Sequence, residues 1–529
     1  MPLHMVDDPK DQNDYNDDNS GGGGGGRPGG GGGGGLMGLL PLLLGLFGGR
    51  GGGGKGIIIL LLLAGGAYFL ISRGGCNSST TNTIQNLFSQ SGYNFDPNEF
   101  KKASVYEGLE DDNGKNPLPE SVSLANFAPQ RLNQGQQGSC VAWSSVYGAR
   151  TILESSSTHA DPNQIAYSPA FVYNNIALED CQGSYILKAM EFMEKQGAVS
   201  MQDFEYDDKD CSRQASSSLL QKAEANRIHG FHRLTESDDV NGINIRAIKE
   251  HLAKDAPVVI GMMVGGSFMQ DMMGQKVWHP TDEDRQQMGF GGHAMCVVGY
   301  DDRVAGGSFQ IMNSWGPEWG ENGLAYIPYG DFKEFVREAY GMDPLPKRGA
   351  ALDVAFECNI GLIDNESKQN IALQTGQGNV FKTVNPIKKG SRFKIELRNA
   401  VECYAYIFTP DSSGKSFVLF PYKPIHSPYF GVTGYRLFPR TESIQADEIG
   451  NKDFMGIVVS KQPLDYNAIN TAINNSSKPD FASKLNDAVA ANSISNVTFN
   501  SGNNNSIYFK TGATDTKNVV ACIVEIDKQ

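Results

Sequence analysis

The chain has no HExxH, so the zinc-peptidase motif of two histidines one helical turn apart is missing. Nor is there a basic cluster, and the net charge of −14 at pH 7 argues against nucleic acid as a partner. The amino-terminal segment is not expected to act as a secretory signal peptide, because residues 1–20 are acidic and polar and stand far from the first apolar run. The only close pair of histidines, His229 and His232 in HGFH, has no acidic or cysteine ligand at a matching spacing. We read both as surface residues and expect neither a metal nor a cofactor. Cysteine is moderate, eight in 529 residues. At that length, with 40% hydrophobic residues, the chain can bury more than one core.

The amino end is organised by composition. Residues 1–35 run from acidic to nearly pure glycine, a segment that cannot bury enough apolar surface to offset its ordering entropy, so disorder is expected. Residues 36–73 are apolar. The run from Leu36 to Phe47 is broken by a proline and two glycines and is too short for about 30 Å of hydrocarbon. The run from Ile57 to Ile71, extended to Gly56 and Ser72, reaches the lower end of membrane-helix lengths, about 17 residues. One membrane helix near 56–72 is predicted. Arg27, Arg50 and Lys55 precede it and only Arg73 follows closely, which by the positive-inside rule places the amino end in the cytoplasm and the rest periplasmic or extracellular. Residues 74–117, rich in Asn, Ser, Asp and Gly, read as a spacer.

Three motifs then carry chemistry: NQGQQGSCVAW (Asn133 to Trp143), GGHAMCVVGYDD (Gly291 to Asp302) and NSWGPEWGENG (Asn313 to Gly323). A thiol attacks a carbonyl only as thiolate, and a helix N-terminus together with a neighbouring imidazolium stabilises that anion, bringing such a thiol to about pKa 3–4. Cys140, opening an apolar helical run, is the candidate nucleophile, and His293 its proton partner. The ordered set of Cys, His and Asn, with Gln upstream of the Cys, resembles the papain-like cysteine peptidases. The separation of Cys from His is slightly longer than the roughly 130–150 residues of that pattern. Val141 and Gln137 also stand where the family has Trp and Cys.

The resemblance covers roughly Leu118 to Ile363 and implies a two-lobed α+β fold with the site between lobes, a peptide or protein substrate, and hydrolysis through an acyl-enzyme. It implies that Asn313 orients the imidazole, that Gln134 with the backbone N–H of Cys140 binds the oxyanion, and that Trp315 packs over the Asn313–His293 pair. Cys181 and Cys211 stand where two disulfide cysteines of the family stand. Their usual partners are absent, which leaves them to pair with each other; Cys403 and Cys522 offer a second pair. The spacer is too short for the helical propeptide of eukaryotic relatives, and the entry at Leu118-Pro119 is that of bacterial members.

Within 118–363 the pattern predicts helices over Ser168 to Cys181, Ile186 to Lys195 and Ile243 to Lys254. It predicts strands over Pro257 to Val264, Ala294 to Tyr300 and Ser308 to Met312, the last two carrying His293 and Asn313 at their ends. Residues 364–378 read as a linker. Residues 379–529 read as a separate β-rich domain with strands over 392–397, 402–408, 416–420, 453–460 and 519–526, and helices over 464–473 and 481–490. That tail resembles a bacterial domain of unknown function found appended to peptidases and kinases, and supplies no catalytic residue. The expectation is a membrane-tethered cysteine endopeptidase of the bacterial envelope, with an envelope partner available to the tail. A non-cleaving papain-like scaffold, or an adaptor acting through its tail, is the alternative.

Overall fold

The computed structural model describes residues 3–8, 92–111, 114–236, 242–345, 355–423, 426–512 and 517–529. The glycine-rich segment and the predicted membrane helix near 56–72 lie outside these. Among the described residues no helix is long and apolar enough to cross a membrane.

The peptidase region has a helical half and a sheet half. Its central helical run opens at Cys140–Ala142, continues as the π-helical Trp143–Arg150 and ends with Thr151–Thr158. Val141, Ala142, Val146, Ala149, Ile152 and Leu153 all enter one core, so the run is apolar on more than one face and is covered on several sides. Helices Pro169–Ile176 and Ile186–Lys195 pack on it, as does the strand Gly291–Asp301. Ser168 caps the first of these by accepting from the Phe171 N–H, with Pro169 at the first helical position where no N–H is needed. That helix stops at Ile176, short of the predicted Cys181, because the chain turns there into the disulfide-bonded loop.

The sheet half is antiparallel, in the order Phe231–Arg233, Val336–Met342, Val258–Val264, Gly291–Asp301, Ser308–Met312, Leu324–Pro328, with Ser121–Ser123 added to the far end of Gly291–Asp301. His293 sits inside its strand, opposite Met262, and not at the strand's end as expected. Asn313 directly follows Ser308–Met312.

The tail is two stacked sheets. Along Cys403–Pro410, Cys403, Ala405 and Ile407 face the core between the sheets, whereas Tyr404, Tyr406 and Phe408 face a second cluster under the helices Tyr466–Asn475 and Phe481–Val489. Lys452–Ser460 and Val519–Asp527 divide their side chains the same way, which is why these strands read as apolar on both faces.

Several expectations change. Glu357–Asp364 is a central strand of a tail sheet, paired with Arg392–Asn399, and 370–371 and 373–375 are also tail strands. The domain boundary therefore lies before residue 357, and 364–378 is part of the tail rather than a linker; strand pairing absorbs its polar residues. Residues 4–7, expected to be disordered, pair with Glu442–Gln445. From residue 92 on, the expected spacer is packed, burying Tyr93, Phe100 and Tyr106. Cys181 and Cys211 form a disulfide. Cys403 and Cys522 are free, because Lys452–Ser460 lies between their two strands. His232 is buried, its Nε2 2.9 Å from the Ser427 hydroxyl of the tail, so only His229 is a surface residue.

Candidate active site

The strands and the central helix bring all four predicted residues together. Cys140 is the first residue of its helix, following Ser139, and the first helical hydrogen bond runs from the Trp143 N–H to the Ser139 carbonyl. Its Sγ accepts the backbone N–H of Ala294, the residue after His293, at 3.4 Å. His293 Nε2 lies 2.8 Å from Asn313 Oδ1. That oxygen also accepts the Ser314 N–H at 2.7 Å, so it is an acceptor and the imidazole proton must sit on Nε2. Nδ1, buried and without a hydrogen-bond partner, keeps its lone pair for a proton. The indole of Trp315 stacks on His293, ring centroids 4.4 Å apart at 25°, and shields the His293–Asn313 bond from water.

Gln134 is held by Ser314, Gln137 and Tyr206, to none of which the sequence assigns that role. Its Oε1 accepts from Ser314 Oγ at 2.6 Å, its Nε2 donates to the Gln137 carbonyl at 2.9 Å, and its own carbonyl accepts from the Tyr206 hydroxyl at 2.7 Å. A primary amide has two N–H groups, so one remains after the bond to Gln137.

The cleft is occupied by the chain itself. Gly92, Tyr93 and Asn94 run through it as an added strand. The Ser184 N–H donates to the Gly92 carbonyl at 2.9 Å, the Asn94 N–H to the Ser184 carbonyl at 3.1 Å, and the Tyr93 N–H to the Gly292 carbonyl at 3.3 Å. Only glycine fits at position 92, where a Cβ would stand 2.1 Å from the Gly138 carbonyl oxygen. The Tyr93 ring fills the space a side chain on Gly261 would take, with its phenol toward Glu338. Cys140 and His293 are both 0% exposed.

Burial sets their titration. Desolvation pushes the Cys140 thiol up to about 11, against the N–H groups of Ala294 and Gly92 that favour the anion. It pushes His293 down to about 4, against the bond to Asn313. With the strand in place both groups rest neutral, contrary to the expected low-pKa thiolate, because the strand replaces the water that would solvate an ion pair. Glu338 is pushed up to about 7 by burial.

Residues 119–339 match the family model described as papain family cysteine protease. A cathepsin B-like protein of Giardia intestinalis is 26% identical over 40% of this chain and 68% of its own length. Cathepsin K of Mus musculus is 27% identical over 40% of this chain and 60% of its own. Xylellain, a cysteine protease from Xylella fastidiosa of solved structure, is 23% identical over 48% of this chain and 97% of its own, with a TM-score of 0.40. The chain carries a papain-family cysteine peptidase domain, and is a hydrolase of that family.

Proposed function

We propose that this chain is a membrane-tethered cysteine endopeptidase whose nucleophile is Cys140, with the amino end cytoplasmic and the peptidase outside. The observation that carries the catalytic assignment is the Asn313–His293 hydrogen bond. It fixes the proton on Nε2 and leaves Nδ1 as the base, beside the strand residue whose N–H holds the Cys140 sulfur. In the reaction Nδ1 takes the thiol proton, the sulfur attacks the substrate carbonyl carbon, and the remaining Gln134 N–H with the Cys140 backbone N–H meets the oxygen as it gains charge. The imidazolium then protonates the leaving amine, and water hydrolyses the thioester with His293 again as base. The tether is supported by the apolar run Ile57 to Ile71 and the cationic residues before it. An envelope partner for the tail belongs to the same proposal.

An epoxide probe on the full chain tests the nucleophile. Labelling is expected at Cys140, with peptide hydrolysis lost in proportion. Hydrolysis that survives complete labelling of Cys140 overturns the assignment. Protease accessibility of the carboxyl end in spheroplasts tests the topology, and protection there contradicts it.

A further inference from the structure

The strand in the cleft is the leading end of a longer strap, residues 92–111 and 114–117, whose trailing end is fastened to the tail. The Gly92 N–H faces the Cys140 sulfur while the Gly92 carbonyl is committed to the Ser184 N–H. The strap blocks the site, with Cys140 and His293 both buried beneath it. From there it passes under Arg233, whose backbone pairs with it on both sides through the Tyr106 N–H to Arg233 carbonyl bond at 3.0 Å and the Arg233 N–H to Ser104 carbonyl bond at 2.9 Å. It then reaches the tail. Glu107 accepts the Arg440 N–H at 3.0 Å, and the Glu110 N–H donates to the Tyr435 carbonyl at 3.0 Å. The buried Asn116 amide donates to the Glu110 and Tyr435 carbonyls and accepts the Tyr435 N–H.

We propose that the carboxy-terminal domain is the latch of the peptidase: by fastening Glu107, Glu110 and Asn116 it keeps Gly92 to Asn94 across Cys140, and releasing those contacts opens the cleft. The proposal rests on the peptidase reading of the site. The cleft end is held by three backbone hydrogen bonds, the Gly92 N–H on the Cys140 sulfur, the Asn94 side-chain amide on the Gln182 carbonyl and one ring, set against the entropy of ordering an otherwise free segment. Anchoring the trailing end removes most of that cost, since the cleft end then binds from a high effective concentration. Asn116 is the most committed anchor, because every bond of its side chain is to backbone and no surface group replaces it.

The test is the rate of Cys140 alkylation by iodoacetamide, mapped by mass spectrometry in the full chain at one pH. Asn116→Ala and Glu107→Ala sample the latch independently, so one stands if the other fails to fold; Tyr93→Ala samples the cleft end. Each is expected to raise Cys140 labelling at least tenfold while Cys296, buried in the sheet, stays unlabelled. If Tyr93→Ala speeds labelling and both latch variants label at the wild-type rate, the tail is not the latch and the proposal is overturned. Faster labelling without any gain in peptide hydrolysis upholds the latch and overturns the peptidase reading instead.

Discussion

The Tyr93 N–H donates to the carbonyl of Gly292, the residue before His293, at 3.3 Å. A residue read from sequence as spacer is thus hydrogen-bonded to the strand that carries the candidate catalytic imidazole. The resting chain is closed, and four consequences can be measured.

Asn313→Ala frees the His293 ring and removes the acceptor of its Nε2 proton. Turnover should fall by about 10–100-fold, part of the 10²–10⁴ that general acid–base chemistry contributes. The pH profile of Cys140 alkylation should shift as well, because the imidazole is no longer oriented to stabilise a thiolate. An unchanged profile would mean that Asn313 acts on packing alone.

Gln134→Ala should lower the rate by about 10²–10³, or about 2.7–4 kcal/mol, the usual cost of one oxyanion donor. The alkylation profile should stay as in the parent chain, since the Cys140–His293 pair is untouched. A shift as large as that of Asn313→Ala would make Gln134 structural.

The Cys181–Cys211 disulfide closes a loop with a sequence separation of 30. In the chain-entropy account a loop of that size stabilises by about 3–4 kcal/mol. Cys211→Ser should therefore lower the denaturation midpoint of the peptidase domain. It should also weaken the hold on Gly92, because the loop carries Gly183 and Ser184. A midpoint equal to the parent's would show that the loop is fixed by the Tyr173 hydroxyl bonds at its base instead.

Glu107 sits where strap meets tail, and burial pushes its carboxyl up to about 7, aided by the Glu442 carboxylate and opposed by the Arg440 N–H and by the Arg440 and Lys394 charges. A folded pKa above the unfolded value means the neutral form is the one the fold favours. The stability this contributes is complete below about pH 4.5 and is lost as pH rises through about 7. The parent chain should lose stability over that window, and Glu107→Gln should lose less. Parallel pH–stability curves for the two would contradict the buried neutral acid.

The candidate catalytic residues were legible because each sits at a local landmark: Cys140 at a helix start, Asn313 just past a strand, His293 in a strand that opens on two glycines. The tail strands were legible from alternation, as in Cys403, Ala405 and Ile407 against Tyr404, Tyr406 and Phe408. The strap was not, because its partners at Gly292, Ser184, Arg233 and Tyr435 lie far away in sequence and no local pattern announces them. The one available signal was Tyr93, Phe95, Phe100 and Tyr106 recurring in an otherwise polar stretch. The Cys403–Cys522 expectation failed for a related reason: strand order, which puts Lys452–Ser460 between them, is not written in either strand.

The most direct measurement is peptide hydrolysis by the full chain and by Tyr93→Ala, each with and without Cys140→Ala. The account predicts little turnover by the parent, a clear rise on Tyr93→Ala, and loss of both when Cys140 is replaced. Hydrolysis that persists without Cys140, or a Tyr93→Ala chain no more active than the parent, would contradict it.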